Sequence, residues 1–290
     1  VDDDRLLPDE RAFSPVVRHV GDRVAAVAAT TPQAAEDALH LIKVDYEHLP
    51  VIGDPEKALE PDARPIHGDT NLLKHVEWSV GDAEEGFGEC DLVLEDSFAT
   101  HVVQHMPMET HTYAAEHDRH SGRLTVWTST QGVHNIRILL GKILDMPLTR
   151  IRVIKPFTGG SFGGKNDLFD EIVVALMAME TRRPVRLTLT RWEEFVGTRT
   201  RHANRFYLKL GFKSDGTLHA RTLRAYLNAG GYSAASPKVT MTTGHRWMML
   251  YRTPHVRYEG FAVYTNFPVA GAFRGFRTPQ QTFAMEILMD

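Results

Sequence analysis

Two patterns of apolar residues recur along the chain, and each predicts a different kind of secondary structure. Alternation of apolar and polar residues is typical of a strand with one buried face. It covers residues 124–128, 151–154, 185–189, 206–212 and 218–227. Helical spacing predicts helices at residues 133–143 and 168–181, and the second is ended by Pro184. Lys213-Ser214-Asp215-Gly216 separates the last two strands and predicts a hairpin.

The first fifty residues predict a small α/β unit. Residues 24–28 and 44–47 have the pattern of strands. Thr31-Pro32 caps a helix between them, with its apolar side formed by Ala35, Ala38, Leu39 and Ile42. Residues 53–69 are rich in Pro, Asp and Glu, which favours a linker. We therefore expect one domain at residues 1–55, a linker at 56–94 and a longer mixed domain at 95–290.

Both ends of the chain lack the signals of a complete domain. The chain starts at Val1 without an initiator Met, and the strand predicted at residues 24–28 has no strand before it to pair with. Near the other end, Thr278-Pro279-Gln280-Gln281 predicts a capping box with Pro at the first helical position. The helix that follows continues to Asp290 without a stop signal. We expect a fragment, or one piece of a split subunit, with no turnover by itself.

Composition excludes several classes of protein. Hydrophobic residues make up 42% and charged residues 24%, as in soluble globular proteins, and no apolar run is long enough to span a bilayer. The net charge of −4 argues against a nucleic-acid partner. The single cysteine, Cys90, excludes an internal disulfide, and an iron–sulfur cluster held by this chain alone. We expect a cytoplasmic protein that acts on a small molecule.

A cluster of histidines and a pair of adjacent acids could suggest a metal or catalytic site. The histidines lack the spacing and the cysteines of a metal site, so we interpret them as structural or solvated. They are His101, His105, His111, His117 and His120. Glu193 and Glu194 are adjacent, so their carboxylates point apart on most backbones, and we assign them no catalysis.

The glycine-rich segment at residues 159–165, here called the glycine loop, allows a ligand to approach the main chain closely. It nearly matches a phosphate-binding loop, but Asn166 replaces the Ser or Thr that binds magnesium. It also matches the nucleophile elbow of a serine hydrolase, with Ser161 as nucleophile. The candidate triad partners are Asp215, His245 and His255. The plainest alternative is a turn that only permits tight strand–helix packing.

Several motifs in a fixed order decide between these alternatives. The glycine loop is followed by Gly271-Ala272-Phe273-Arg274-Gly275-Phe276 and by Pro279-Gln280, and Ser129-Thr130-Gln131 precedes it. This set resembles the molybdenum hydroxylases, the family of xanthine dehydrogenase and aldehyde oxidase. Residues 108–111 and 198–202 are similar to further family segments. The resemblance covers residues 95–290, and the first fifty residues resemble the end of the family's α/β hammerhead domain.

The resemblance implies the end of a hammerhead-like domain followed by the first part of a molybdopterin-binding domain. It implies hydroxylation of a heterocycle or an aldehyde, with water as the oxygen source, on a molybdenum cofactor of the molybdopterin type, with the cytosine dinucleotide as the candidate form. The expected partners are an iron–sulfur subunit with [2Fe-2S] clusters, an FAD subunit and the rest of the molybdenum subunit, which carries the general base. An aromatic acyl-CoA dehydroxylating reductase on the same scaffold is an alternative.

The resemblance also assigns roles to single residues. Those expected to bind the cofactor are Gln131, Phe162, Gly163, Phe273 and Arg274. Those expected to line the substrate pocket are Asn166, Thr242 and Phe276.

Three positions depart from the family pattern. Purine-oxidising members have Glu at the position of Asn166 and Arg at the position of Thr242, so we expect xanthine to be a poor substrate. Arg246 lies four residues beyond Thr242, one turn along a helix, and could reach the same pocket. Arg277 replaces the usual Gly, which changes the local backbone or the pocket charge.

Overall fold

The computed structural model describes residues 9–290. The chain divides into two compact units. The first unit comprises Val1–Pro50 and His105–Thr198, and the second comprises Val51–Gln104 and Arg199–Asp290.

Helices and strands are mixed along the described residues. The helices are α1 (Pro32–Leu39), α2 (Ala83–Gly88), α3 (Val133–Ile143), α4 (Glu171–Thr181), α5 (Arg191–Gly197), α6 (Ser236–Met249) and α7 (Thr278–Met289). The strands are β1 (Leu72–Val80), β2 (Leu92–Thr100), β3 (Val103–Gln104), β4 (Thr112–Asp118), β5 (Arg123–Thr128), β6 (Ile151–Ile154), β7 (Val185–Thr188), β8 (Thr200–Arg201), β9 (Asn204–Phe212), β10 (Leu218–Gly230) and β11 (His255–Tyr264). The predicted mixed α/β class is confirmed.

The first unit contains a four-stranded sheet in the order β6-β5-β4-β7. Strands β5 and β6 are parallel, and α3 makes the crossover between them, as a parallel pair requires. Ile136 and Leu140 of α3 are buried in the core, as their helical spacing predicts. Helix α4 begins at Glu171, three residues later than predicted. Leu168 and Phe169 are buried in the same core without being helical.

The strands predicted in the first fifty residues are absent from the structure. Residues 24–28 and 44–47 form no strand, and Val24 and Val44 are each 41% exposed. Alternation alone is insufficient because a strand needs a neighbour for its backbone hydrogen bonds. The helix between them is confirmed as α1, and the side chain of Thr31 caps it by accepting from the Ala34 amide.

The second unit contains a five-stranded sheet in the order β1-β11-β10-β9-β2. The predicted hairpin is confirmed as the antiparallel pair of β9 and β10. Strands β10 and β11 are parallel, and α6 connects them. The core includes Phe206, Leu223, Trp247, Tyr258 and Met285, which places α6 and α7 against the sheet.

The linker predicted at residues 56–94 contains regular secondary structure. It includes β1, which pairs with β11, and it includes α2. The domain boundaries predicted from the sequence stay a prediction. The predicted capping box at Thr278 is wrong. The cap position of α7 is Arg277, which has φ +85° and no side-chain capping bond, because the helix already includes Thr278. Within residues 9–290, no helix is both long and apolar enough to cross a membrane.

Candidate functional site

The glycine loop lies between β6 and α4, and its main chain is unusual. Gly160 has φ +97°, Phe162 has φ +52° and Gly163 has φ +107°. Glycine adopts such angles readily, whereas a residue with a side chain does so at a cost of about 1–3 kcal/mol. Phe162 is also 47% exposed, so its burial does not offset that cost. The loop is therefore held in this conformation by contacts from outside it.

Gln131 makes three of those contacts. Its backbone amide donates to the Lys165 carbonyl at 2.7 Å. Its side-chain Oε1 accepts from Ser161 Oγ at 2.6 Å and from the Gly163 amide at 3.1 Å. An amide N–H can donate only to the oxygen of a carboxamide, so the Gly163 contact fixes which end of the Gln131 side chain faces the loop. The donating end, Nε2, has no partner among residues 9–290, and the side chain is exposed.

Lys165 fixes the loop from its other side, and sequence analysis gave it no role. Its side chain is 0% exposed, and Nζ lies 2.9 Å from the Glu109 carbonyl, 3.1 Å from Glu109 Oε2 and 3.4 Å from the Thr110 carbonyl. Glu109 Oε2 also accepts from the Gly159 amide at 2.5 Å. A Cβ at Gly159 would lie 2.7 Å from Glu109 Cβ, so a side chain there would displace Glu109. A contact across fifty residues leaves no signal in local spacing.

The contacts of Ser161 are those of a side chain that holds the loop. Its hydroxyl donates to the Gln131 carboxamide, and its oxygen accepts from the Lys165 amide at 3.2 Å. A nucleophilic serine donates instead to a general base, usually an imidazole. The candidate triad partners have other contacts within the second unit: Asp215 with the Thr217 amide, His255 Nδ1 with the Asp82 amide, and His245 with the Trp78 ring.

The adjacent acids Glu193 and Glu194 have different contacts in the structure. Glu193 completes a capping box with Thr190 at the start of α5. Glu194 is buried and accepts from His111 Nδ1 at 2.9 Å and from the His111 amide at 2.8 Å. Burial alone would raise the pKa of Glu194, but the bonds from His111 outweigh it and lower the pKa. No group of three His, Cys, Asp or Glu side chains in residues 9–290 is placed to hold a metal ion.

Asn166 follows the glycine loop and has an exposed side chain. A Cβ on Gly132, which precedes α3, would lie 3.6 Å from Asn166 Oδ1. The structure therefore brings Gln131, Phe162, Gly163 and Asn166 together in the first unit.

The remaining predicted site residues lie in the second unit. Phe273 and Arg274 are held by Arg201, which lies 3.9 Å over the Phe273 ring and donates to the Arg274 carbonyl at 2.7 Å. The Arg274 residue itself is exposed. Phe276 has φ +40° and packs against the core of this unit. Thr242 lies on α6, where its hydroxyl donates to the Lys238 carbonyl. Arg246 lies one turn further along α6 and is exposed.

Arg277 and His202 are buried polar residues in the second unit. Arg277 is 2% exposed, and its three guanidinium nitrogens have no hydrogen-bond partner among the described residues. Burial lowers the pKa of Arg277 to about 9, so it stays cationic at neutral pH. Burial also lowers the pKa of His202 well below its usual range, with further contributions from Arg277 and Arg201. His202 is therefore neutral, and its Nε2 lies 2.8 Å from Ser236 Oγ.

These features define a glycine-rich main chain that is held in a left-handed conformation by side chains from other segments. Comparison with known proteins identifies the family. The molybdopterin cofactor-binding domain family matches residues 66–290. The a/b hammerhead domain of aldehyde oxidase and xanthine dehydrogenase matches residues 5–50. The chain therefore belongs to the molybdenum hydroxylase family of molybdenum-dependent oxidoreductases, and the resemblance found in the sequence is confirmed.

Relatives and solved structures agree with this assignment. The chain is 38% identical over 287 residues to a putative xanthine dehydrogenase molybdenum-binding subunit of Escherichia coli, covering 99% of this chain and 38% of that one. It is 38% identical over 288 residues to the nicotinate dehydrogenase large molybdopterin subunit of Eubacterium barkeri, covering 99% and 66%. Quinoline 2-oxidoreductase from Pseudomonas putida superposes with a TM-score of 0.85 at 31% identity, covering 93% of this chain and 34% of that one. The chain thus spans only part of each relative.

Proposed function

We propose that this chain is part of the molybdenum-cofactor subunit of a hydroxylase that oxidises a heterocycle or an aldehyde with water as the oxygen source. The observation that carries the proposal is the orientation of Gln131. Its oxygen is fixed to the glycine loop by the Gly163 amide, so its exposed Nε2 is left to donate to a ligand beside the loop. An oxo ligand or a pterin edge accepts such a bond. The left-handed main chain at Phe162 and Gly163 offers a surface that a ligand can approach closely.

In the proposed reaction, the residues of this chain bind and orient the cofactor. When bound, the molybdenum cofactor supplies the two-electron oxidation that introduces the oxygen from water. Gln131 donates a hydrogen bond to it. Arg274 is exposed and permanently cationic, which suits an anionic centre. Residues outside this chain supply the general base.

The electrons leave through partners in this proposal. Iron–sulfur clusters are held by cysteine thiolates, and the chain has only Cys90. We therefore place the [2Fe-2S] clusters and FAD on other chains of a multi-subunit complex, together with the rest of the molybdenum subunit. The relatives named as subunits of larger enzymes support this arrangement. The cytosine dinucleotide form of the cofactor is part of the same proposal.

Asn166 and Thr242 each disfavour xanthine as the substrate. Asn166 carries no charge, and Thr242 directs its hydroxyl to the carbonyl of its own helix rather than outwards. A purine held by a carboxylate and a guanidinium would lose charged hydrogen bonds at both positions, each worth about 1.5–3 kcal/mol. We therefore expect kcat/KM for quinoline or benzaldehyde to exceed that for xanthine. A highest kcat/KM for xanthine would contradict this choice.

Gln131→Glu in the assembled enzyme tests the central observation. Glutamate keeps an oxygen for Ser161 and Gly163 but replaces the outward donor by an acceptor. Removing one such donor typically lowers kcat by about 10²–10³-fold. We expect a loss of that size with molybdenum content retained, measured by metal analysis and by incorporation of labelled oxygen from water. Gln33→Glu on the exposed α1 is the matched control and should leave kcat unchanged. Wild-type kcat in the Gln131 variant would refute the role.

A further inference from the structure

Arg277 lies at a position where its side chain destabilises the fold. Its guanidinium is buried, and Nε, Nη1 and Nη2 have no hydrogen-bond partner within residues 9–290. A buried charge without a partner carries a large desolvation cost, which an anion normally offsets. Burial accordingly lowers the pKa of Arg277, although the group remains charged at neutral pH.

The backbone at Arg277 adds a second cost. Phe276 has φ +40° and Arg277 has φ +85°, so two successive residues with side chains are left-handed. Glycine would take the second angle without strain, and glycine is the residue expected at this position from the family pattern. Strained backbone that persists in a fold points to a function at that position. Strain and an unpaired charge therefore occur in one residue.

The neighbours of Arg277 make its surroundings positive. Arg201 contributes a second guanidinium, and its Nη1 is also buried without a partner in the described part of the chain. His202 is neutral, and the Tyr258 hydroxyl donates to the Thr240 carbonyl. None of these groups carries a negative charge that would balance the Arg277 guanidinium. The chemical group that would balance it is an anion.

We propose that Arg277 binds the carboxylate of an aromatic acid, so that the substrate of the proposed hydroxylase is an anionic ring compound. The planar guanidinium presents paired N–H groups that match the two oxygens of a carboxylate. Phe276 precedes Arg277 in the same turn and supplies an aromatic ring for the substrate ring. Arg274 and Gly275 of the same turn are exposed, so the turn lies at the surface of this unit. This inference rests on the proposed function and specifies its substrate class.

Binding of benzoate and benzamide to the assembled enzyme tests the inference. The two probes share ring and size and differ in charge. Arg277→Gly relieves the backbone strain, so the fold should persist, and we expect it to weaken benzoate binding at least tenfold while benzamide changes less than twofold. Arg277→Lys should fall between, because lysine offers one point charge in place of a fork. Arg252→Gly, at an exposed arginine before β11, is the control and should bind both probes as the wild type does. Isothermal titration gives each dissociation constant.

Two results would overturn the inference. One is benzoate affinity that Arg277→Gly leaves unchanged, or changes as much as benzamide affinity. The other is inorganic phosphate binding that Arg277→Gly abolishes without affecting benzoate, which would assign the position to a free anion. Molybdenum content and turnover of the neutral substrate quinoline, measured on the same wild-type preparation, report on the proposed function separately. A wild-type enzyme that lacks both would refute that function, whereas the probe titrations refute only the role of Arg277.

Discussion

Replacing Lys165 by methionine should release the glycine loop. The lysine side chain is fully buried and donates to the Glu109 carbonyl, the Glu109 carboxylate and the Thr110 carbonyl. Methionine fills most of the same volume but donates nothing. The main effect is therefore the loss of the charged hydrogen bonds, and a change in packing is secondary.

The size of the effect follows from these contacts. Hydrogen bonds to a charged group contribute about 1.5–3 kcal/mol. The Glu109 side chain is 33% exposed, so water screens its ion pair and part of that contribution must be discounted. The two carbonyls that lose a donor add a further cost. We expect a loss of about 3 kcal/mol in the free energy that stabilises the observed conformation of the loop.

Amide hydrogen exchange in the assembled enzyme measures this loss locally. A loss of about 3 kcal/mol corresponds to roughly 100-fold faster exchange across residues 159–165. Molybdenum content should fall as well, because the loop no longer presents its main chain in one conformation. Lys155→Met, at an exposed lysine after β6, is the matched control and should alter neither measurement. Wild-type exchange in the Lys165 variant would refute the reasoning.

Three further outcomes are expected from the same structure. Ser161→Ala should keep most activity, because Ser161 only holds the loop, whereas a nucleophile would lose several orders of magnitude. Gly163→Val, at φ +107°, should abolish molybdenum content, while Gly216→Val, equally strained at φ +84° in an open hairpin turn, should retain it; metal analysis compares them. His202 has a lowered pKa, so its contribution to stability is present above about pH 6.5, the ordinary pKa of histidine, and is smaller at pH 5.5 because the unfolded chain takes up the proton first. His202→Asn should remove that slope in urea titrations at the two pH values, and an unchanged slope would contradict it.

The sequence predicted those elements whose stabilising contacts are close along the chain. Strands β5 and β6 with α3 between them, and the β9–β10 hairpin, pair with sequence neighbours, so local pattern and tertiary contact agree. The strands predicted at residues 24–28 and 44–47 had the right alternation but no pairing partner among the described residues. Strand β1 was missed because its partner, β11, follows more than 170 residues later.

The same distinction between local and distant contacts applies to the candidate site. Motif order identified the glycine loop and Gln131, and the structure brings them together. The buried contact between Lys165 and Glu109 could not be predicted, because their separation of more than fifty residues matches no periodicity. The unusual residue at position 277 was visible in the sequence, but the absence of a counter-ion became visible only with the burial of its guanidinium.

The way the glycine loop is held explains why its positioning residues matter as much as the loop itself. Its left-handed angles cost free energy, and a loop without regular hydrogen bonding cannot recover that cost alone. Gln131 and Lys165 supply hydrogen bonds from the protein itself to this main chain. Bonds of this kind lower the entropy cost of ordering the loop that ligand binding would have to offset. Substitutions that remove these bonds should therefore weaken cofactor retention, whereas Gln131→Glu keeps the accepting oxygen and should retain the cofactor.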